Sequence, residues 1–258
     1  MITAYDYCSA RIVEAAGIPI ILVGDSLGQV ILGYDSTVSV TMDEMVHHTK
    51  AVVRGTDRTH IVGDMPFLSH QAGEGEAVRN AGRLLQEGGA QSVKLEGGRH
   101  VAATVSRIVR CGIPVMGHIG LTPQAVNQLG GYRVQGKSAK AAVHLLEDAR
   151  ALEEAGAYAI VLECVPAPLA ELITDRVSIP TIGIGAGPHC DGQVQVFHDL
   201  LGLFTDFEPK HAGRYANLAE TIGRAVAEYA GDVRAQRFPT DRQSFGMKQS
   251  VLDELTGG

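Results

Sequence analysis

At 258 residues, with 45% hydrophobic content and a formal net charge of −7, the chain has material for a large core but lacks the basic face that a nucleic-acid surface needs. Aromatic residues make up only 5%, which also argues against base-stacking platforms and points to small-molecule partners. Cys8, Cys111, Cys164 and Cys190 lie far apart with no C-x-x-C pair, so neither a zinc site nor a disulfide framework is indicated, and cytosolic thiols are expected. No segment approaches the roughly 20 apolar residues that span a bilayer, and the N-terminus lacks a basic-then-apolar leader pattern. We therefore expect a cytoplasmic protein without membrane association. No Ser/Pro-rich spacer or block of like charge divides the chain, so a single domain is expected over 1–258, with 236–258 as a patternless tail.

In chain order, a strand is predicted at Ile2 to Tyr5, which leaves no lead-in and suggests that natural residues precede Met1. Ser9 to Ala16 predicts a helix, and Ile20 to Gly24 a strand ending at Asp25. A long Gly-containing loop, Ser26 to Val40, precedes a helix capped by Thr41 with Asp43 and Glu44 in its first turn. Ile61 to Gly63 ends in Asp64, and a helix from about Glu76 to Glu87 stops at Gly88-Gly89. Ser92 to Leu95 ends in Glu96, and a helix at about His100 to Arg110 leads to Val115-Met116-Gly117, which ends in His118. Thr122-Pro123 opens a short helix, and Ser138 caps a long one running to Ala155. Ala159 to Leu162 ends in Glu163, a short helix covers Leu169 to Thr174, and Ile179 to Ile184 forms a seventh strand. Leu201 to Thr205 is the expected eighth strand, and a final helix is predicted at about Tyr215 to Ala235.

Eight strands alternating with helices predict a closed (β/α)8 barrel, in which residues at the C-terminal strand ends build the active site. Asp25, Asp64, Glu96, His118 and Glu163 all fall at such ends. Taken singly, an acid after a strand is more often a helix cap than a ligand, and His118 has an equal reading as a packed core histidine. Clustered carboxylates would resist ionisation without a compensating cation, and oxygen-only ligation favours Mg²⁺. Lys94 shares a strand face with Glu96, and a lysine directed into a barrel mouth is seldom packing. His47 and His48 fit a solvent-facing helix pattern and read as structural. Gly183-Ile184-Gly185-Ala186-Gly187 reads either as a tight turn or as a place where backbone approaches a ligand.

The runs Thr3-Ala4-Tyr5-Asp6, Gly24-Asp25-Ser26-Leu27-Gly28, Leu32-Gly33-Tyr34-Asp35-Ser36-Thr37 and Asp64-Met65-Pro66-Phe67 resemble the ketopantoate hydroxymethyltransferase family. So do Val93-Lys94-Leu95-Glu96-Gly97-Gly98, Gly117-His118-Ile119-Gly120-Leu121-Thr122-Pro123-Gln124 and Cys190-Asp191-Gly192-Gln193-Val194, and the likeness runs from residue 1 to about 230. Gln29 and His70, the latter where a tyrosine is expected, depart from it. The resemblance implies a (β/α)8 TIM barrel of the phosphoenolpyruvate/pyruvate superfamily type. It further implies transfer of a hydroxymethyl group from 5,10-methylenetetrahydrofolate to 3-methyl-2-oxobutanoate, on the route to pantothenate and coenzyme A. By the same resemblance, Asp25, Asp64 and Glu96 would hold Mg²⁺, while Asp25, Ser26, Asp64, Lys94 and His118 would contact the oxoacid. Glu163 would be the proton acceptor, and a homodecamer is implied. Three alternatives stand beside it: C–C lyase chemistry on the same kind of site, a phosphate cradle at Gly183 to Gly187, and a non-catalytic scaffold barrel.

Overall fold

The structure, a computed structural model, describes residues 1–257. In chain order the elements are β1 (Ile2–Thr3), α1 (Tyr7–Ala15), β2 (Ile20–Val23), α2 (Leu27–Val30), α3 (Met42–Arg54), β3 (His60–Asp64), α4 (Glu74–Gln86), β4 (Ser92–Glu96), α5 (Ala102–Arg110) and β5 (Val115–Gly120). There follow α6 (Val126–Leu129), α7 (Ala139–Glu154), β6 (Ala159–Glu163), α8 (Ala167–Thr174), β7 (Thr181–Ile184), β8 (Gly192–Gln193), α9 (Phe197–Leu200), α10 (Leu218–Arg234) and α11 (Gln249–Thr256).

All eight strands pair in parallel and in sequence order, and a bridge between Ile2 and Gln195 joins the last strand to the first. The closing bond runs from the Thr3 amide to the Gln195 carbonyl, 3.1 Å. This is the predicted (β/α)8 barrel. Side-chain alternation along the strands separates two apolar layers. Leu22, Val62, Met116, Val161, Ile182 and Val194 pack together as one cluster inside the barrel. The larger layer, including Ile21, Ile61, Leu84, Leu95, Ile108 and Leu152, lies between sheet and helices. The helix starts are set locally: Asp6 and Thr41 form capping boxes, and Ser138 accepts from the Ala141 amide.

The eighth strand is not where the sequence suggested. Leu201 to Thr205 is no strand: Leu201 closes α9, and Gly202 turns the chain at φ +62°. The ladder position goes to Gly192–Gln193, which the chain reaches from β7 without an intervening helix. Leu201 and Leu203 owe their apolar character to packing against the core, a role that a hydrophobic run cannot distinguish from strand pairing. The tail, too, has structure that the sequence did not signal: a 3₁₀ turn at Asp241–Gln243 and helix α11. Helix α10 has no buried residue and exposes Ile222, Val226, Tyr229 and Val233.

Strand register decides which side chains meet at the C-terminal rim. Asp64 is level with Lys94, Glu96 with His118, and Gly120 with Glu163. Gly120 is required there: φ is +92°, and a Cβ would lie 2.2 Å from the Glu163 carbonyl oxygen.

Candidate active site

A cavity of about 970 Å³ opens at this rim, and Asp25, Ser26, Asp64, Lys94, Glu96, His118 and Glu163 all line it. Asp25 follows β2, Asp64 and Glu96 end their strands, and Glu163 ends β6, so four separate strands deliver the four acids.

Three of the acids accept hydrogen bonds from uncharged donors. The Asp25 amide donates to Asp64 Oδ2 (3.1 Å), Gln124 Nε2 donates to Asp25 Oδ2 (2.8 Å), and the Gln124 backbone amide donates to Glu96 Oε2 (3.0 Å). Lys94 Nζ lies 2.9 Å from Asp64 Oδ1, an ion pair that is not aligned as a hydrogen bond, and donates to His118 Nδ1 at 3.2 Å. His118 Nδ1 is 3.6 Å from Glu96 Oε1, and its Nε2 is 3.1 Å from Glu163 Oε2, within contact but out of line for a hydrogen bond. A continuous chain of polar contacts thus runs from Asp25 through Asp64, Lys94 and His118 to Glu163.

Burial and crowding set the charge state. Burial, and next the Asp64 carboxylate, pushes Asp25 up to about 8, and burial followed by Asp25 raises Glu96 well above the usual carboxylate range. Burial opposes the Lys94 charge too, yet Asp64, Glu96 and Asp25 outweigh it and hold the ammonium above its ordinary value. Burial, and then Lys94, depresses His118, which favours the neutral imidazole. One lysine is too little positive charge for this cluster, so the protein alone keeps protons on acids that a divalent cation would displace. Glu96 Oε1 is buried without a hydrogen-bond donor, and Asp64 Oδ1 has only the unaligned Lys94 ammonium beside it, so the unengaged oxygen that such a cation could take is that of Glu96. Among the described residues no three His, Cys, Asp or Glu side chains form a ready-made metal cage. The donor set suits a hard ion that retains water or takes ligands from substrate, as Mg²⁺ does.

Several residues that sequence reasoning passed over are built into this rim. Gln124 is buried among the acids, and its sequence signals are its place behind Thr122-Pro123 after β5 and its membership of a resembling run, neither of which assigns it a role. His70, noted only as a departure, donates from Nε2 to the Glu96 carbonyl at 2.9 Å, and burial pushes it down to about 4. The Tyr5 hydroxyl is 2.8 Å from Ser26 Oγ. Asp199, pushed up to about 6 by burial, lines the cavity, as do Tyr132, Arg133, Lys210 and His211 farther out. His47 is exposed, and His48 Nδ1 lies 2.6 Å from the Tyr5 carbonyl, a structural contact. In the Gly183–Gly187 run, Gly185 and Gly187 turn the backbone at φ +64° and +83° and both line the cavity, and a Cβ at Gly187 would lie 2.4 Å from Ala167 Cβ, so the turn and the approach of backbone to the cavity coexist there.

A closed parallel barrel with buried acids, a lysine and a histidine at its C-terminal rim defines a (β/α)8-barrel enzyme, and its fold relatives lie among the phosphoenolpyruvate mutase/isocitrate lyase type. A phosphoenolpyruvate phosphomutase from Streptomyces platensis subsp. rosaceus superposes with a TM-score of 0.60 at 15% identity, covering 99% of this chain and 89% of that one. A 2,3-dimethylmalate lyase of the PEP mutase/isocitrate lyase superfamily gives 0.55 at 16% identity, covering 99% and 88%.

The chain belongs to the ketopantoate hydroxymethyltransferase family, whose model matches residues 1–241. A 3-methyl-2-oxobutanoate hydroxymethyltransferase from Dehalococcoides mccartyi (strain CBDB1) is 63% identical over 255 residues, covering 99% of this chain and 91% of that protein. The enzyme of the same name from Chloroflexus aurantiacus (strain ATCC 29366 / DSM 635 / J-10-fl) is 61% identical over 257 residues, covering 100% and 91%. The protein is therefore a hydroxymethyltransferase, which removes the scaffold alternative.

Proposed function

We propose that the protein converts 3-methyl-2-oxobutanoate to 2-dehydropantoate with 5,10-methylenetetrahydrofolate as the one-carbon donor, water supplying the hydroxyl oxygen, in a Mg²⁺-dependent reaction in the cytoplasm. The observation that carries this reading is the placement of Glu163 on β6, next to His118 and apart from the three-acid cluster of β2, β3 and β4. A proton acceptor is thereby separated from the groups that would hold the oxygens of an oxoacid.

Asp25, Asp64 and Glu96 would hold Mg²⁺, whose role when bound is to supply positive charge that favours the enolate form of the oxoacid. Lys94 adds a fixed ammonium where negative charge develops on the substrate oxygens, and its buried pairing with Asp64 keeps it protonated. Ser26, braced by Tyr5, offers a hydroxyl to the carboxylate of the oxoacid. Glu163 removes the C3 proton. Neutral His118, whose Nδ1 accepts from Lys94, places its Nε2 3.1 Å from the Glu163 carboxylate, beside the proton acceptor but not hydrogen-bonded to it. The C3 carbanion forms the new C–C bond to the one-carbon unit, whose two bonds to the folate nitrogens are broken as water supplies the hydroxyl and tetrahydrofolate leaves, so no enzyme nucleophile is required. Cys164 fits that account, because burial pushes its thiol up to about 11.

The cavity far exceeds the needs of a five-carbon acid, and its volume suits a large carrier entering from the mouth. Among the described residues no helix is long and apolar enough to cross a membrane. The exposed apolar stripe of α10 supports assembly with further copies, a homodecamer in our proposal.

The test is proton exchange without the carrier. With Mg²⁺ alone, the protein should exchange the C3 hydrogen of 3-methyl-2-oxobutanoate with solvent deuterium, and addition of methylenetetrahydrofolate should yield 2-dehydropantoate. Absence of both activities in folded protein would remove this assignment. Cleavage of a longer oxoacid in the absence of folate would favour the lyase alternative.

A further inference from the structure

We propose that Gln124 is a positioning residue that fixes the carboxylates of Asp25 and Glu96 for ligand binding, an inference that rests on the site reading above. One residue touches the ends of three strands. Its side-chain Nε2 donates both to Asp25 Oδ2 after β2 (2.8 Å) and to the Met65 carbonyl after β3 (2.9 Å), while its backbone amide donates to Glu96 Oε2 on β4 (3.0 Å). The backbone amide is free to do so because Gln124 lies in the first turn of the 3₁₀ helix Pro123–Ala125, where amides have no partner within the helix.

The pattern is selective. Gln124 occupies one oxygen of Asp25 and one of Glu96, and the Asp25 amide occupies one oxygen of Asp64. Glu96 Oε1 is left buried without a donor, and Asp64 Oδ1 has only the unaligned Lys94 ammonium. Asp25 and Glu96 are thus each fixed in rotation by a donor at one oxygen, which leaves the other for a ligand.

A neutral amide suits this place better than any charged group. An arginine or lysine would neutralise Asp25 and compete with a bound cation, and another acid would add to a cluster already short of positive charge. The amide orientation is also determined: reversing it would aim Oε1 at the Asp25 carboxylate and the Met65 carbonyl, two acceptors. Oε1 instead faces Gln71 Nε2 at 3.5 Å. Gln124 is almost wholly buried, so solvent cannot replace the lost donor.

The experiment compares wild type with Gln124→Met, which keeps length and volume but removes both side-chain donors. Calorimetry with Mg²⁺ and 3-methyl-2-oxobutanoate, carrier-free C3 deuterium exchange, and thermal unfolding are measured on each. Loss of an outer partner of a ligand-holding carboxylate predicts a 10–100-fold rise, by order of magnitude, in the Mg²⁺-dependent oxoacid dissociation constant and in KM. Saturated exchange should fall by much less, because Glu163 stands on another strand. A residue that only supported the fold would lower kcat through a smaller active fraction and leave KM unchanged, so that result, or wild-type constants in folded variant, overturns the proposal. Should Gln124→Met fail to unfold cooperatively, Gln124→Asn retains an amide one methylene too short to reach both acceptors. It should show a smaller rise in KM, and wild-type KM there also overturns the proposal. Wild-type protein without carrier-free exchange would instead defeat the underlying functional reading, and the inference with it.

Discussion

Glu14 and Asp25 are both carboxylates at the rim of the same barrel, but at opposite ends, and the fold shifts them in opposite directions. Glu14, at the C-terminal end of α1, accepts from the backbone amides of Asp57, Arg58 and Thr59 at 2.8–3.1 Å as the chain enters β3. Those amides, Arg58 first, hold it down at about 2. Asp25, at the other end, is raised because it is buried beside Asp64. The first acid is used for stability. The second is kept in an arrangement that the protein alone satisfies poorly, and under the proposed function a cation and an anionic substrate would relieve it.

The sharpest separation of the two ends should come from Glu163→Gln. Carrier-free C3 exchange, followed by NMR, is expected to fall by about 10²–10⁴, with Mg²⁺-dependent oxoacid binding retained. Exchange at the wild-type rate would transfer the base role to another group, with His118 the nearest alternative.

Next in size, Asp64→Asn should weaken Mg²⁺-dependent oxoacid binding by about 10–100-fold in calorimetry, because Asp64 both pairs with Lys94 and anchors on the Asp25 amide. Unchanged affinity would dissociate Asp64 from ligand binding.

A third experiment reads the comparison as stability. Because Asp25 is raised to about 8 in the folded protein, from roughly 3.9 when unfolded, the native state binds more protons than the unfolded state between these values. Its contribution to stability therefore declines as pH rises through that window. Without Mg²⁺, Asp25→Asn should flatten the fall in melting temperature between pH 5 and pH 8. A steeper fall in the variant would contradict the raised value.

Glu14 should show the smallest effect and the opposite sign. Its depressed value means that the stabilisation is present above the unfolded carboxylate range, near 4, and is lost as pH falls towards 2. Glu14→Gln should lower the melting temperature slightly at pH 7, with the difference closing by pH 2 in scanning calorimetry. A difference that persisted undiminished at pH 2 would mean that charge is not what Glu14 contributes.

The sequence by itself determined much of the barrel, because buried parallel strands leave continuous apolar runs bounded by Gly, Pro and an ionisable residue. Five of the eight strands, β2 to β6, are legible for that reason, and β1 and β7 from their short strand-like runs alone; legible too are the rim positions of Asp25, Asp64, Glu96, His118 and Glu163 and the shared face of Lys94 and Glu96. The eighth strand was not legible, since Gly192–Gln193 is short and has no apolar signal, whereas Leu201 and Leu203 carry that signal for packing. Helix α11 likewise gave no warning: all its residues through Gly257 are exposed, so no buried face marks it. Only the tertiary structure decided which side chains touch. That Lys94 pairs with Asp64 as well as approaching His118, that His70 holds the Glu96 backbone, and that Gln124 links three strand ends all depend on register between strands and on a loop returning over them. Hydropathy and spacing record the burial of a residue along its own segment. They do not record which distant donor its free lone pairs will meet, because that pairing is fixed only when the sheet closes.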